Sequence, residues 1–251
     1  YGVFYQENNN FEKASECWIR SEKIFSTLGN QDKASLSLSN LGEVYLQTCD
    51  YQNSYDCLNK SFNIFYELNN KEEMLSLLYL LGKFYFMIGE NEELEKVLNQ
   101  YEYILLTQET YSEKNTLHFN YLKLINIFNT NKAFDPRNDL TPLLDKANSI
   151  SETNLYVESI ILSVEKLIIL HNYDDAVVYL NDKDFNKFIQ QNVIFMAQRE
   201  FLFGKIAYYT QNENLESAIE YFERAYNLLQ DESINELTWK ILFSIAETYW
   251  E

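Results

Sequence analysis

Three glycines, Gly2, Gly42 and Gly82, stand 40 residues apart, and each is followed three residues later by a tyrosine, Tyr5, Tyr45 and Tyr85. A fixed step of this length marks a chain built from repeated supersecondary units, and it constrains the fold more than any local propensity does. Twelve residues beyond each glycine stands a small or apolar residue, Ala14, Ser54 or Leu94, and four further on a large one, Trp18, Leu58 or Leu98. Those are spacings of one helix face. The same step leads on to Leu122, Val164, Gly204 and Ala246, all small or apolar enough for a tight helix crossing.

With two prolines, six glycines and 46% hydrophobic residues, the chain has too few turn residues for a β-sheet protein and too much apolar surface for disorder. The breakers Asn8-Asn9-Asn10, Gly29-Asn30, Thr48-Cys49-Asp50 and Gly89-Glu90-Asn91 divide it into helices. These are predicted near 11–28, 31–48, 51–69, 71–88, 91–109, 113–130, 139–150, 153–171, 173–182, 184–211, 214–230 and 232–251. Acidic pairs such as Glu72-Glu73, Glu92-Glu93 and Asp174-Asp175 fall at predicted helix starts, where carboxylates complement the helix dipole.

Leu41-Gly42-x-x-Tyr45 and Leu81-Gly82-x-x-Tyr85 resemble the Leu-Gly-x-x-Tyr centre of a tetratricopeptide first helix, and Ala14 resembles the alanine at which the second helix crosses it. Val164-x-x-Leu167 with Ala176 and Leu180 keeps the spacing, and Ala218-x-x-x-Phe222-x-x-Ala225 is a close second-helix match. The period of about 40, against about 34 for the standard unit, resembles the long-repeat variety of that family. HEAT-type repeats have a similar period but lack the Gly-x-x-Tyr…Ala signature. The resemblance implies an all-α, right-handed α-solenoid of stacked antiparallel helix pairs. It would be a single array over residues 1–251 of about six hairpins, truncated at both ends, with Gly42, Gly82, Gly204 and Ala246 at crossings and an irregular insertion near 130–139.

Thirty-eight acidic against twenty basic residues leave a formal charge of −18, which repels phosphate backbones and anionic lipid heads. Neither nucleic acid nor a membrane is an expected partner. Cys17, Cys49 and Cys57 are at no metal-ligand spacing and fit small buried residues of a reducing compartment, so the cytoplasm is the expected location. His118 and His171, the two histidines, have no cysteine or carboxylate at ligand spacing and are expected to be solvated or hydrogen-bonded. With no nucleophile elbow and no phosphate-cradling glycine loop, the expectation is no catalytic residue, no metal and no cofactor.

The family's first helices line a concave surface, and the resemblance carries its groove positions onto Tyr79, Lys83, Phe86 and Met87, then Phe119, Lys123, Asn126 and Ile127, then Phe201, Lys205, Tyr208 and Tyr209. The residue after each crossing position reads Val3, Glu43, Lys83, Lys123, Glu165, Lys205 and Glu247, which sets lysines into an acidic protein. The lysine and asparagine clamp by which some members hold a C-terminal carboxylate is absent, since Ser39, Asn40, Glu43 and Tyr79 occupy its positions. The expected function is a protein- or peptide-binding scaffold, as the sensor or regulatory segment of a larger signalling protein. A regulator similar to bacterial peptide-pheromone receptors is the alternative. A third version makes the chain part of an enzyme whose catalytic domain lies outside it.

Overall fold

The computed structural model describes residues 1–107, 112–129, 136–210, 215–232 and 236–250, with the side chains of 127, 129 and 136–139 outside that description. Among the described residues the fold is an all-α helical repeat solenoid with no strand. Its helices are α1 (Gly2–Glu7), α2 (Phe11–Thr27), α3 (Gln31–Gln47), α4 (Tyr51–Glu67), α5 (Lys71–Met87), α6 (Asn91–Leu106) and α7 (Glu113–Asn129). They continue as α8 (Pro136–Ser149), α9 (Thr153–Ile169), α10 (Tyr173–Leu180), α11 (Lys183–Ile189), α12 (Val193–Thr210), α13 (Glu216–Leu228) and α14 (Glu236–Trp250). The chain packs as two compact units, residues 1–133 and 134–251. Most of the irregular stretch expected near 130–139 lies outside the described residues.

In the first unit one turn recurs every 20 residues. Asn9, Gly29, Cys49, Asn69 and Gly89 each adopt a left-handed backbone, with φ between 53° and 77°. The next residue's N–H then reaches back to the carbonyl five positions earlier, as from Asn10 to Tyr5, Asn30 to Phe25, Asp50 to Tyr45, Asn70 to Phe65 and Glu90 to Tyr85. That closes the old helix. The side chains of Asn10, Asn30, Asp50 and Asn70 then accept the N–H of Lys13, Lys33, Asn53 and Glu73, which opens the new one. Three-residue joints between helices of 17 residues force antiparallel neighbours and generate the 40-residue step.

The crossing glycines let the second helix approach the first. A methyl group at Gly42 would lie 2.8 Å from Leu58, one at Gly2 2.6 Å from the Trp18 ring, and one at Gly204 2.5 Å from the Phe222 ring. Ser54 donates to the Gly42 carbonyl at 2.8 Å at the same crossing. Ser35 and Ser61 clasp the same helix pair, each hydroxyl donating to the other's carbonyl at 3.0 and 2.8 Å. Gly82 departs from the pattern. Its nearest neighbour is Leu122 of α7 at 2.7 Å rather than Leu98, because the crossing position of the next repeat is a leucine long enough to fill the space that glycine leaves.

Three expectations need correction. The single helix predicted over 184–211 is two, α11 and α12, since the Asn192 carboxamide accepts the N–H of Ile194 and Phe195 and starts a new helix at Val193. Ala246 is exposed, with no helix packed across it among the described residues. The cysteines are free and only half-buried, and Cys49 sits in a turn at φ 60°. Burial pushes the Cys57 thiol up to about 11.

In the second unit α12 and α13 form the closest pair, around Ala197, Phe201, Ala218, Phe222 and Ala225. Here the second helix of the preceding hairpin is short and broken, as α10 and α11. Asn181 and Asp182 make the break, with Asp182 capping α11 through the Phe185 N–H.

Candidate functional site: the first-helix faces and a trough beside α12

On α5 the Tyr79 ring lies flat against His118 of α7, with centroids 3.9 Å apart and planes 13° from parallel. Lys83 sits one turn along α5 with its ammonium 5.5 Å from the centre of that ring. His118 is therefore neither solvated nor hydrogen-bonded at Nδ1, as the sequence suggested; it is 7% exposed and that nitrogen has no partner among the described residues. Burial, reinforced by Lys114 and Lys83, lowers its pKa to about 3, so it is neutral near pH 7.

On α7 the half-buried Phe119 stacks at 5.4 Å on Tyr101 of α6, and Lys123 holds its ammonium 5.1 Å from the Phe119 centre. Lys123 is exposed, Met87 is exposed, and Phe86 and Asn126 are half-buried. The side chain of Ile127 lies outside the described residues.

On α12 the expectation for Phe201 is overturned. It is 5% exposed and packs on Phe222 at 5.6 Å, because a ring one turn before Gly204 falls into the closest helix crossing of the unit. Lys205 nonetheless keeps the pairing, its ammonium 5.8 Å from the Phe201 centre. Tyr208 is partly buried against the same core, while Tyr209 is half exposed and stacks on Tyr173 at 6.4 Å. Glu165 on α9 is the charged neighbour of this face. Burial holds its carboxyl above the usual carboxylate range, against the lowering pull of Lys240 and Lys205.

Sequence reasoning missed a trough along the opposite flank of α12. Two cavities of about 620 and 640 Å³ lie beside it and share Arg199, Glu200 and Arg224 as lining. Glu200 joins both guanidiniums, at 2.8 Å to Arg199 and 3.4 Å to Arg224. Arg199 also donates through Nε to the last carbonyl of α10, that of Leu180, at 3.2 Å. The only available signal was the scarcity of arginine, four residues in the chain with two of them here.

Among the described residues no three His, Cys, Asp or Glu side chains are gathered to hold a metal ion, and no helix is long and apolar enough to cross a membrane. No known family profile matches the chain, and no similar curated protein was found.

Proposed function

We propose that this chain is a tetratricopeptide-like scaffold that holds another protein or a peptide, as the sensor or regulatory segment of a larger cytoplasmic signalling protein. One observation carries the reading: an aromatic and a lysine one turn apart recur at the same two repeat positions, as Tyr79 and Lys83, Phe119 and Lys123, and Phe201 and Lys205. Helix packing alone calls for the apolar member of each pair. It does not call for a cation beside three of the four aromatics at that position, the fourth being Phe243 with Glu247, in a chain of charge −18. A surface that reads acidic or C-terminal segments does, since each ring holds its ammonium in place and lowers the entropy lost on binding.

The test is to isolate the partner from the native host with the immobilised chain and then measure its affinity for the chain and for the Lys83→Glu, Lys123→Glu double variant. The variant is expected to melt as the parent does and to bind about tenfold or more weakly, with the loss shrinking at high salt. Unchanged binding at low salt would remove these lysines from recognition.

A further inference from the structure

We infer that the trough beside α12 is a second binding site, built to take an extended acidic peptide with an apolar side chain next to a carboxylate. Its construction follows from the break in the preceding hairpin. A continuous second helix would lie along α12; α10 and α11 instead leave an open channel between themselves and α13.

The cationic centre of the channel is held ready before any ligand arrives. Phe203 and Tyr221 stack at 5.5 Å with their planes 24° apart. Arg199 lies 4.7 Å from the Phe203 centre and Arg224 4.2 Å from the Tyr221 centre, so two guanidiniums flank a pair of rings. Glu200 neutralises one of the two charges. Among the described residues it is the only acidic side chain lining either cavity, and their charges sum to one net positive. Arg224 faces Glu200 through its Nε at 3.4 Å and its side chain is 53% exposed, so its guanidinium also offers two terminal nitrogens to a ligand. They present the parallel N–H pair that a carboxylate accepts.

Length selects a peptide over a small carboxylate. The lining of α12 runs from Met196 to Thr210, about 21 Å of helix, which an extended segment of about six residues spans. One end is apolar, formed by Ile189, Met196 and Leu228, and receives a hydrophobic side chain; the other end is lined by the polar side chains of Asn181 and Ser217, which suits a main chain. The inference does not depend on the first-helix lysines.

The experiment measures fluorescence anisotropy of three labelled octapeptides, alternating Leu with Glu, Gln or Lys, against the 251-residue chain. The Glu peptide is expected to bind about tenfold or more tightly than the other two. Arg224→Gln removes that preference, Arg224→Lys restores part of it, and Lys60→Gln, an exposed lysine of α4, leaves it intact. A photoreactive leucine in the Glu peptide should cross-link the unmutated chain on α11, α12 or α13, a readout that needs no variant. Equal binding of the Glu and Gln peptides overturns the proposal, as do cross-links confined to other helices or competition by acetate at the peptide's own concentration. So does sedimentation as a dimer that Arg224→Gln dissociates, since the occupant is then a second copy.

Discussion

The imidazole of His118 lies flat on the Tyr79 ring, 3.9 Å between centroids, and so joins the first helices of two successive repeats, α5 and α7, through a buried neutral histidine. The unfolded chain takes up a proton near pH 6.5, whereas the folded one resists until about pH 3. Between those values the unfolded state binds more protons, so stability is complete above pH 6.5 and falls as the pH drops through the window, by up to about 1.4 kcal/mol per pH unit. Replacing His118→Phe keeps a stacking ring without the titration. The midpoints of urea melts at pH 7, 6 and 5 are expected to fall in acid for the parent and to do so less for the variant.

Glu165 has the opposite sign. Its carboxyl titrates above 4.5 in the folded chain, so the folded state binds the proton more tightly, and stability falls as the pH rises from 4.5 through the native value. Changing Glu165→Gln is expected to raise the melting temperature at pH 7 and leave it unchanged at pH 4. A lower melting temperature at pH 7 would mean that the pull of Lys205 and Lys240 outweighs the cost of burial.

Cys49 holds φ at 60°, where its equivalents in the other turns of the first unit are glycine or asparagine. A side chain with a β-carbon loses about 1–2 kcal/mol in that region, and asparagine recovers part of it by local hydrogen bonding. Cys49→Gly is expected to stabilise the chain by about 1 kcal/mol in denaturant titration. Gly29→Cys should destabilise it by a similar amount.

Gly82 and Gly204 are separated by what they touch. Alanine at Gly204 would meet the rigid Phe222 ring at 2.5 Å, and alanine at Gly82 the end of the flexible Leu122 side chain at 2.7 Å. Both substitutions overpack a crossing and should cost about 1–3 kcal/mol, with Gly204→Ala the more expensive. A double-mutant cycle of Gly82→Ala with Leu122→Ala should show coupling of about 0.5 kcal/mol or more, whereas the cycle with Leu98→Ala should be additive.

What the sequence determined by itself is what local chemistry carries. The glycine and tyrosine step, the helix-face spacing and the punctuating Asn and Gly residues made the 40-residue repeat and most helix limits legible, because capping and turn geometry act within about six residues. A 20-residue rhythm of Asn10, Asn30, Asp50 and Asn70 was also there to be read. The start of α12 escaped because Gln190-Gln191-Asn192 contains no glycine or proline and breaks the helix through one carboxamide.

Of the candidate faces, the sequence supplied the positions and the tertiary structure decided their exposure. Phe119 and Phe201 occupy the same place in the repeat, yet one is half-buried on Tyr101 and the other sealed against Phe222. Burial depends on which distant side chain arrives opposite, and a period cannot specify that. The trough needed more still: Arg199 and Arg224 are 25 residues apart and come together over Glu200 only because α12 and α13 cross tightly at Gly204 while α10 and α11 stop short. Periodicity sets each helix's face, whereas packing between helices sets what that face meets.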